Sequence, residues 1–265
     1  MRKADCVMGD GFNLFVVFLL GSCLGSFLNV CIYRVPRGLS IVAPRSFCPV
    51  CQAPIRACDN IPLLSYLLLR GKCRNCRAKI FWRYPLVETL TGVITLVLFL
   101  KFGFSPTFFS FLIFSAALIV ITFIDLDHRI IPDTISLPGI AIGFLLALLG
   151  LSITIKESLI GILAGGGSLF VVAFIYETLT KREGMGGGDV KLLAMIGAWL
   201  GWKSILFSLF FASLSGTLIG GTAMLIQKEG RHYAIPFGPF LAFSALAYLF
   251  FGPQLINWYL SWGKP

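Results

Sequence analysis

The segment that decides the fold of this chain reads Gly184-Met185-Gly186-Gly187-Gly188-Asp189-Val190-Lys191, and it lies between two strongly apolar runs. Its four glycines weaken helical structure, so the segment predicts a local break between two helices. At membrane depth a broken helix is tolerated only where it is buried in protein or lines a watery cavity. An ionisable residue placed there, Asp189, is a candidate functional residue, although aspartate is also a frequent N-cap of the helix that follows.

The composition of the whole chain indicates a membrane protein. Charged residues make up only 13% of the 265 residues, whereas soluble domains carry roughly a quarter, and the mean hydropathy is +0.88. A chain of this length holds about eight helices of ~20 residues with short links and one modest loop domain. We therefore predict an all-α polytopic membrane protein with eight spans, at 12–33, 84–102, 106–125, 133–151, 158–180, 190–200, 204–226 and 235–259.

The basic residues are unevenly distributed. The formal net charge is +10, and the hydrophilic segment 34–83 contains ten arginines and lysines but a single acid, Asp59. Because basic loops stay on the cytoplasmic side, we predict that this loop is cytoplasmic and that both termini lie outside. This distribution and the absence of an RNA- or DNA-binding motif predict that nucleic acid is not a partner.

A second carboxylate, Asp125, ends the apolar run 114–124. In the predicted topology Asp125 and Asp189 both lie at cytoplasmic helix ends, so they can face a single cavity. Two carboxylates a few ångströms apart cannot both ionise cheaply, so such a pair shares a proton and acts as base and acid at once. One takes a proton from an attacking water while the other protonates the departing amine, which is aspartic-protease chemistry.

Two further aspartates lie nearby but fit this role less well. Asp127 follows Asp125 by two residues and points elsewhere if the helix continues. Asp133 follows Pro132 and precedes Thr134, which predicts an N-cap of the next span. We therefore choose Asp125, which follows the apolar run directly.

Four of the eight cysteines form two C-x-x-C pairs within the basic loop, Cys48-Pro49-Val50-Cys51 and Cys73-Arg74-Asn75-Cys76. The 21 residues between the pairs slightly exceed the usual zinc-ribbon spacing. Four thiolates leave no open coordination position, so we predict a structural zinc site at Cys48, Cys51, Cys73 and Cys76. The alternatives are two redox pairs or four unligated thiols.

The chain resembles the type IV prepilin peptidases, which are membrane aspartic proteases of the GxGD class. The resemblance rests on Gly186-Gly187-Gly188-Asp189 with Val190-Lys191, and on Asp125 within Ile124-Asp125-Leu126-Asp127-His128. Further matching segments are 25–30, 33–34, 44–46, 59–62, 82–88 and 236–239. The resemblance implies catalytic roles for Asp125 and Asp189 and supporting roles for Gly186, Gly188 and Lys191.

The resemblance also implies a substrate, a second activity and a cellular location. Such an enzyme removes the short basic leader of type IV prepilins or pseudopilins after a glycine, at the cytoplasmic face of a bacterial inner membrane. It then methylates the new N-terminal residue with S-adenosylmethionine, for which the sequence shows no binding residues. The implied domains are a first transmembrane helix at 1–33, a zinc-binding loop domain at 34–83 and a transmembrane peptidase domain at 84–265.

Three other interpretations of the sequence stay open. One is a cleavage-only relative of the preflagellin peptidases, although the long cysteine-bearing loop argues against it. Another is a transporter with broken helices, although we find no paired repeats and the aspartates lie at helix ends. The third is a non-catalytic membrane scaffold that the zinc loop anchors.

Overall fold

A computed structural model of the protein describes residues 2–181, 186–227 and 236–262, and its regular structure is helical throughout these residues. The helices are α1 (Arg2–Arg34), α2 (Leu64–Leu68), α3 (Arg83–Phe102), α4 (Pro106–His128), α5 (Asp133–Leu148), α6 (Ile155–Thr180), α7 (Gly187–Leu200), α8 (Trp202–Gln227) and α9 (Gly238–Trp262). Two short 3₁₀ helices, Val35–Arg37 and Ala57–Asn60, lie in the loop between α1 and α2. The predicted all-α class is therefore confirmed.

Within the described residues, five helices are long and apolar enough to cross a membrane. They are Asn13–Arg37, which includes most of α1, then α3, α4, α6 and Trp202–Thr222 of α8. The apolar helices Asp133–Leu148 and Gly238–Gly252 are shorter, and α7 has only 14 residues. Five of the eight predicted spans thus have the length that a single crossing needs.

The described contacts divide the chain into two compact units, 1–120 and 121–265, and the division falls within α4. In the first unit α1 packs against α3, because small residues allow the two backbones to approach. A Cβ built on Gly25 would lie 2.7 Å from the Cα of Glu88, and one built on Gly21 would lie 2.9 Å from the Cα of Gly92. The side chain of Asn29 adds a hydrogen bond of 3.1 Å to the Tyr84 carbonyl.

The second unit is built around α7. This helix contacts α5, α6, α8 and α9, and every residue from 192 to 200 is buried. A helix that is apolar on all sides is buried either in protein or in a membrane, and the stretch 192–200 of α7 is buried in protein. Two hydrogen bonds fix it laterally: Trp199 Nε1 donates to the Gly139 carbonyl (2.8 Å), and Ser158 Oγ donates to the Ala198 carbonyl (2.9 Å).

The closest approach in this unit is between α6 and α7. A Cβ built on Gly161 would collide with the Gly197 carbonyl oxygen, and one built on Gly197 would collide with the Gly161 carbonyl oxygen. Both positions therefore require glycine, since any side chain would separate the two backbones. This contact matters for function because α7 carries Asp189 at its other end.

We predict that Gly161→Ala destabilises the protein although alanine favours helices. Overpacking a tight contact costs about 1–3 kcal/mol, which exceeds the gain in helix propensity of up to ~1 kcal/mol. The matched control is Gly167→Ala in the same helix, where an added Cβ meets nothing within 4 Å. Unfolding in detergent micelles should show a loss of free energy for the first variant and none for the second. Equal stabilities would contradict the close approach of α6 and α7.

Candidate active site

Asp125 lies in the last turn of α4, and only 5% of its surface is exposed. Its neighbours Asp127 and His128 are exposed. The helix ends just beyond them, where the Arg129 amide donates to the Asp125 carbonyl (2.8 Å) and Arg129 adopts a left-handed conformation with φ of 56°. Asp125 is therefore the more deeply buried of the two carboxylates.

The carboxylate of Asp125 accepts a hydrogen bond from a residue distant in sequence. The Gly238 amide donates to Asp125 Oδ2 across 3.0 Å, in a buried position. Gly238 is the first residue of α9, so its amide belongs to the positively polarised N-terminus of that helix. A Cβ at Gly238 would lie 2.6 Å from Oδ2, so the approach requires glycine.

Asp189 lies in the first turn of α7 and is half-buried. It is not the N-cap of this helix, because Gly186 occupies that position in an extended conformation. Its neighbour Gly188 packs against Ile131, as does Gly238, whose amide binds Asp125. The structure thus brings together the two acids that 63 intervening residues separate in sequence.

One side chain, Ile131, links the surroundings of the two aspartates. A Cβ on Gly188 would lie 2.8 Å from Ile131 Cβ, and a Cβ on Gly238 would lie 3.2 Å from Ile131 Cδ1. Ile131 therefore packs against the glycine next to Asp189 and against the glycine that binds Asp125. Its apolar side chain therefore connects the start of α7 with the start of α9.

Lys191 and Asp133 join two helix ends next to this site. Lys191 Nζ contacts both carboxylate oxygens of Asp133 at 2.7 Å, which connects the first turn of α7 to the first residue of α5. The predicted N-cap role of Asp133 is wrong, because Pro132 is the N-cap and no side chain caps the helix. Both partners are substantially exposed, so this ion pair contributes more to orientation than to stability.

The four predicted metal ligands lie on two matching turns in the first unit. The Cys48 amide donates to the Ala53 carbonyl (3.0 Å), and the Cys73 amide donates to the Ala78 carbonyl (2.8 Å). In each turn the residue after the second cysteine, Gln52 or Arg77, has a φ near +60°. The two turns therefore repeat the same local fold, and each presents a pair of thiols to the other.

The geometry of these thiols fits a tetrahedral metal site. All four sulfur atoms lie within 4.8 Å of one another, and Cys48 Sγ is 3.8 Å from Cys76 Sγ. Zinc–sulfur bonds of about 2.3 Å at tetrahedral angles place the sulfurs ~3.8 Å apart. The four side chains can therefore hold one zinc ion.

Hydrogen bonds favour the thiolate form of two of these cysteines, Cys51 and Cys73. The Ala53 amide and then the Asn75 side chain lower the pKa of Cys51 to about 6, and backbone amides lower the pKa of Cys73. The Ala78 amide lowers the pKa of Cys76, but burial and the neighbouring thiols outweigh this effect and raise that pKa to about 11. Full ionisation of all four sulfurs therefore requires a cation in their midst.

Comparison with known proteins places the chain in a family. The model of the bacterial peptidase A24 N-terminal domain matches residues 19–102, and that of the type IV leader peptidase family matches 112–221. A prepilin leader peptidase/N-methyltransferase of Neisseria gonorrhoeae is 40% identical over 97% of this chain and 98% of its own length. The chain belongs to the type IV leader peptidase family.

Other type IV leader peptidases match to a similar extent. The prepilin leader peptidase/N-methyltransferase of Aeromonas hydrophila is 38% identical over 93% of both chains, and that of Pseudomonas aeruginosa is 37% identical over 91% of both. No solved structure matches the chain. Membership of this family confirms the resemblance drawn from the sequence motifs.

Two residues of this candidate site, Gly238 and Ile131, do not follow from the sequence as site residues. Gly238 enters only through the segment 236–239 that resembles the family. The available signal was the Gly238-Pro239 pair, since proline is common at a helix start, where the first amides have no partner within the helix. Of the predicted supporting residues, Gly186 and Gly188 lie next to Asp189, whereas Lys191 pairs with Asp133.

Proposed function

We propose that this type IV leader peptidase cleaves type IV prepilins or pseudopilins after the glycine that ends their basic leader, and then N-methylates the new N-terminus. Relatives at 36–40% identity over most of their length bear the name prepilin leader peptidase/N-methyltransferase. The observation that supports the chemistry best is that Gly188, next to Asp189, and Gly238, which binds Asp125, pack against the same side chain, Ile131.

In the proposed mechanism the two aspartates divide the acid and base roles. The Gly238 amide and the N-terminus of α9 stabilise negative charge on Asp125, which suits the base that takes a proton from water. Asp189 follows Gly188, which packs against the same Ile131 side chain as Gly238, and two neighbouring carboxylates cannot both ionise cheaply. Asp189 is then the acid that gives its proton to the departing amine when the peptide bond breaks.

Methylation follows on the amine that cleavage exposes. S-adenosylmethionine supplies a methyl group bound to a sulfonium, and its carbon–sulfur bond electrons remain on sulfur when the methyl group leaves. The neutral amine provides the electron pair for the new carbon–nitrogen bond and then loses one proton. The enzyme must therefore hold the new N-terminus free of protons and close to the bound donor.

We assign the protein to the bacterial inner membrane as a multi-pass protein with eight crossings. Three helices besides the five long ones are needed, and α5, α7 and α9 are apolar enough to fill these places within a bundle. The long loop and both aspartates then face the cytoplasm, where the basic leaders of prepilins are accessible. Membrane lipid contacts the outer helices, and nucleic acid is not a partner.

We further propose that zinc binds at Cys48, Cys51, Cys73 and Cys76 and holds the loop domain 34–83. The sulfur spacing fits the ion, and a four-sulfur site is structural because no coordination position stays open for a substrate. The ion stabilises the two turns relative to each other and takes no part in cleavage. The other functions considered, a cleavage-only peptidase, a transporter and a scaffold, are not favoured, since the relatives carry both activities in their name.

The catalytic roles are tested by Asp125→Asn and Asp189→Asn, made separately. Each change removes one of the two proton-transfer groups, so leader cleavage of a purified prepilin should fall by about 10²–10⁴-fold. Asp127→Asn is the matched control, because Asp127 is exposed two residues away. Cleavage at the wild-type rate by a correctly inserted variant would remove that aspartate from the mechanism.

The Gly238 contact is tested by Gly238→Ala. The added methyl group would displace the Asp125 carboxylate from the amide, so kcat for cleavage should fall about ten- to a hundredfold. Gly216→Ala serves as the control, because its nearest neighbour would be Phe240 at 3.7 Å, an ordinary contact. An unchanged kcat for Gly238→Ala would show that this hydrogen bond does not position the base.

The zinc site is tested by Cys51→Ser and Cys76→Ser, with Cys58→Ser as the control outside the cluster. The first two variants should lose bound zinc, as measured by mass spectrometry, and melt at a lower temperature. Acidification should release zinc from the wild type, because protons compete for the thiolates. Purified wild-type protein without zinc at neutral pH would contradict the proposal.

A further inference from the structure

The first unit contains a cavity of about 340 Å³ beside the C-terminal half of α1. The residues of α1 that line it share one face of the helix and are Cys23, Ser26, Phe27, Val30 and Arg34. Gly21 and Gly25, which contact α3, belong to the opposite side of α1. The cavity therefore faces away from α3, and residues of the loop 34–83 complete its wall.

Arg34 gives this cavity a buried positive charge. The residue is 5% exposed, and its two terminal nitrogens donate to the Ser40 and Pro44 carbonyls, both at 2.7 Å. These acceptors are neutral, and no carboxylate in the described part of the chain pairs with Arg34. A buried charge without a counter-charge is costly, and three of the five N–H groups of Arg34 stay available for an anion.

The loop adds further groups that bind anions. The Pro44 carbonyl that accepts from Arg34 directly precedes Arg45, so the second arginine of the wall follows close to the first. Arg45 is exposed, which suits the rim of the cavity. The side chains of Ser46 and Asn60 add a hydroxyl and an amide donor. Two guanidinium groups with neutral donors beside them are typical of phosphate recognition.

The acidic residues of this region are engaged outside the cavity wall. Asp59, the sole acid of the loop 34–83, pairs with Arg74 at 2.6 Å. Glu88 does not line the cavity, and its carboxylate accepts from the Leu63 amide (2.8 Å) and from the Ser26 hydroxyl. The lining of the cavity therefore has a net positive charge and selects an anion over a cation.

The remaining wall is apolar and continues from Arg34 toward the middle of α1. Phe27 and Val30 lie one to two turns before Arg34 on the same face. From position 23 to position 34 the helix rises ~16 Å, close to the ~15 Å half-thickness of the hydrocarbon core of a bilayer. Ile41 and Val42 of the loop also line the cavity and are 41% and 87% exposed, which favours contact with lipid over water. A wall that is charged at the end of a candidate span and apolar toward its middle fits an amphiphile.

We propose that this cavity binds an anionic phospholipid of the cytoplasmic leaflet. Arg34 and Arg45 hold its phosphate, and one acyl chain lies along the apolar face of α1 that includes Phe27. Basic pockets at the cytoplasmic ends of transmembrane helices bind such headgroups. The inference rests on the proposed membrane placement of α1 and on neither cleavage nor methylation. The bound lipid joins α1 to the basic loop, because Arg45 belongs to that loop.

Native mass spectrometry of the full-length protein, titrated with phosphatidylglycerol in detergent micelles, tests this site. Arg34→Gln should weaken retention of the first lipid about tenfold or more, because charge-assisted bonds at a buried position are lost. Arg45→Gln should weaken it about threefold, as expected of an exposed charge. Arg37→Gln is the matched control with the same change of charge, since Arg37 donates to the Tyr33 carbonyl and does not line the cavity. Its affinity should equal that of the wild type.

Two further ligands distinguish an anionic lipid from a free phosphate ester. Glycerol phosphate has the head without the acyl chains and should bind the wild type at least about tenfold more weakly than phosphatidylglycerol. Phosphatidylethanolamine should also bind more weakly, because its ammonium group would lie beside two arginines. Phe27→Ala should weaken retention of phosphatidylglycerol about threefold, since apolar contact with the chain is lost. Phe15→Ala, at an exposed position of the same helix outside the cavity wall, is the matched control.

Several outcomes would overturn the lipid site. If the folded Arg34→Gln and Arg45→Gln retain phosphatidylglycerol as the wild type does, the cavity holds no phosphate head. If glycerol phosphate binds as tightly as the lipid, the cavity takes a soluble phosphate ester, and equal retention of the two lipids would contradict the selection of an anion. A cooperative melting transition shows that a variant is folded. Should Arg34→Gln fail to fold, Arg45→Gln and the two further ligands still decide the matter.

Prepilin cleavage by the wild type is measured separately from lipid retention. A protein that retains phosphatidylglycerol through the two arginines but does not cleave would contradict the proposed function and leave the lipid site intact. A protein that cleaves but retains the lipid no better than glycerol phosphate would contradict the lipid site alone.

Discussion

The hydrogen bond from the Gly238 amide to Asp125 is the contact on which the proposed active site depends most. It connects the C-terminal turn of α4 to the N-terminus of α9, across more than a hundred residues of sequence. A buried carboxylate needs a donor, because leaving it without one costs free energy. The amide of a helix start supplies that donor together with a favourable dipole, and glycine at this position allows the approach.

The position of Asp189 depends on packing rather than on a hydrogen bond to its side chain. It begins a helix that is buried on all sides, and the contact between Gly161 and Gly197 fixes that helix against α6. The extended Gly186 and the small Gly188 let the start of α7 lie against Ile131. Rigid placement of both acids is what proton transfer to and from a substrate requires, since small displacements of catalytic groups are costly.

The candidate site residues could be chosen from the sequence because their signals were local. Asp125 directly follows an apolar run, Asp189 follows a glycine cluster, and the four cysteines have recognisable spacing. The contact of Gly238 with Asp125 was not predictable, because the two residues meet only through the packing of α4 against α9. The capping role expected of Asp133 failed for the same reason, since its partner Lys191 lies 58 residues away. Hydropathy alone did not show that α5 and α7, with 16 and 14 residues, are shorter than the five long apolar helices of the described part of the chain.

The pH dependence of kcat/KM for leader cleavage tests the central claim most directly. If Asp125 and Asp189 act as base and acid, activity must fall in acid, where the base takes up a proton, and in alkali, where the acid loses one. We expect a bell-shaped profile for the wild type and for Asp127→Asn, measured on a purified prepilin. A profile with one limb only, or a flat profile over the range in which the protein stays folded, would contradict an aspartate pair that shares one proton.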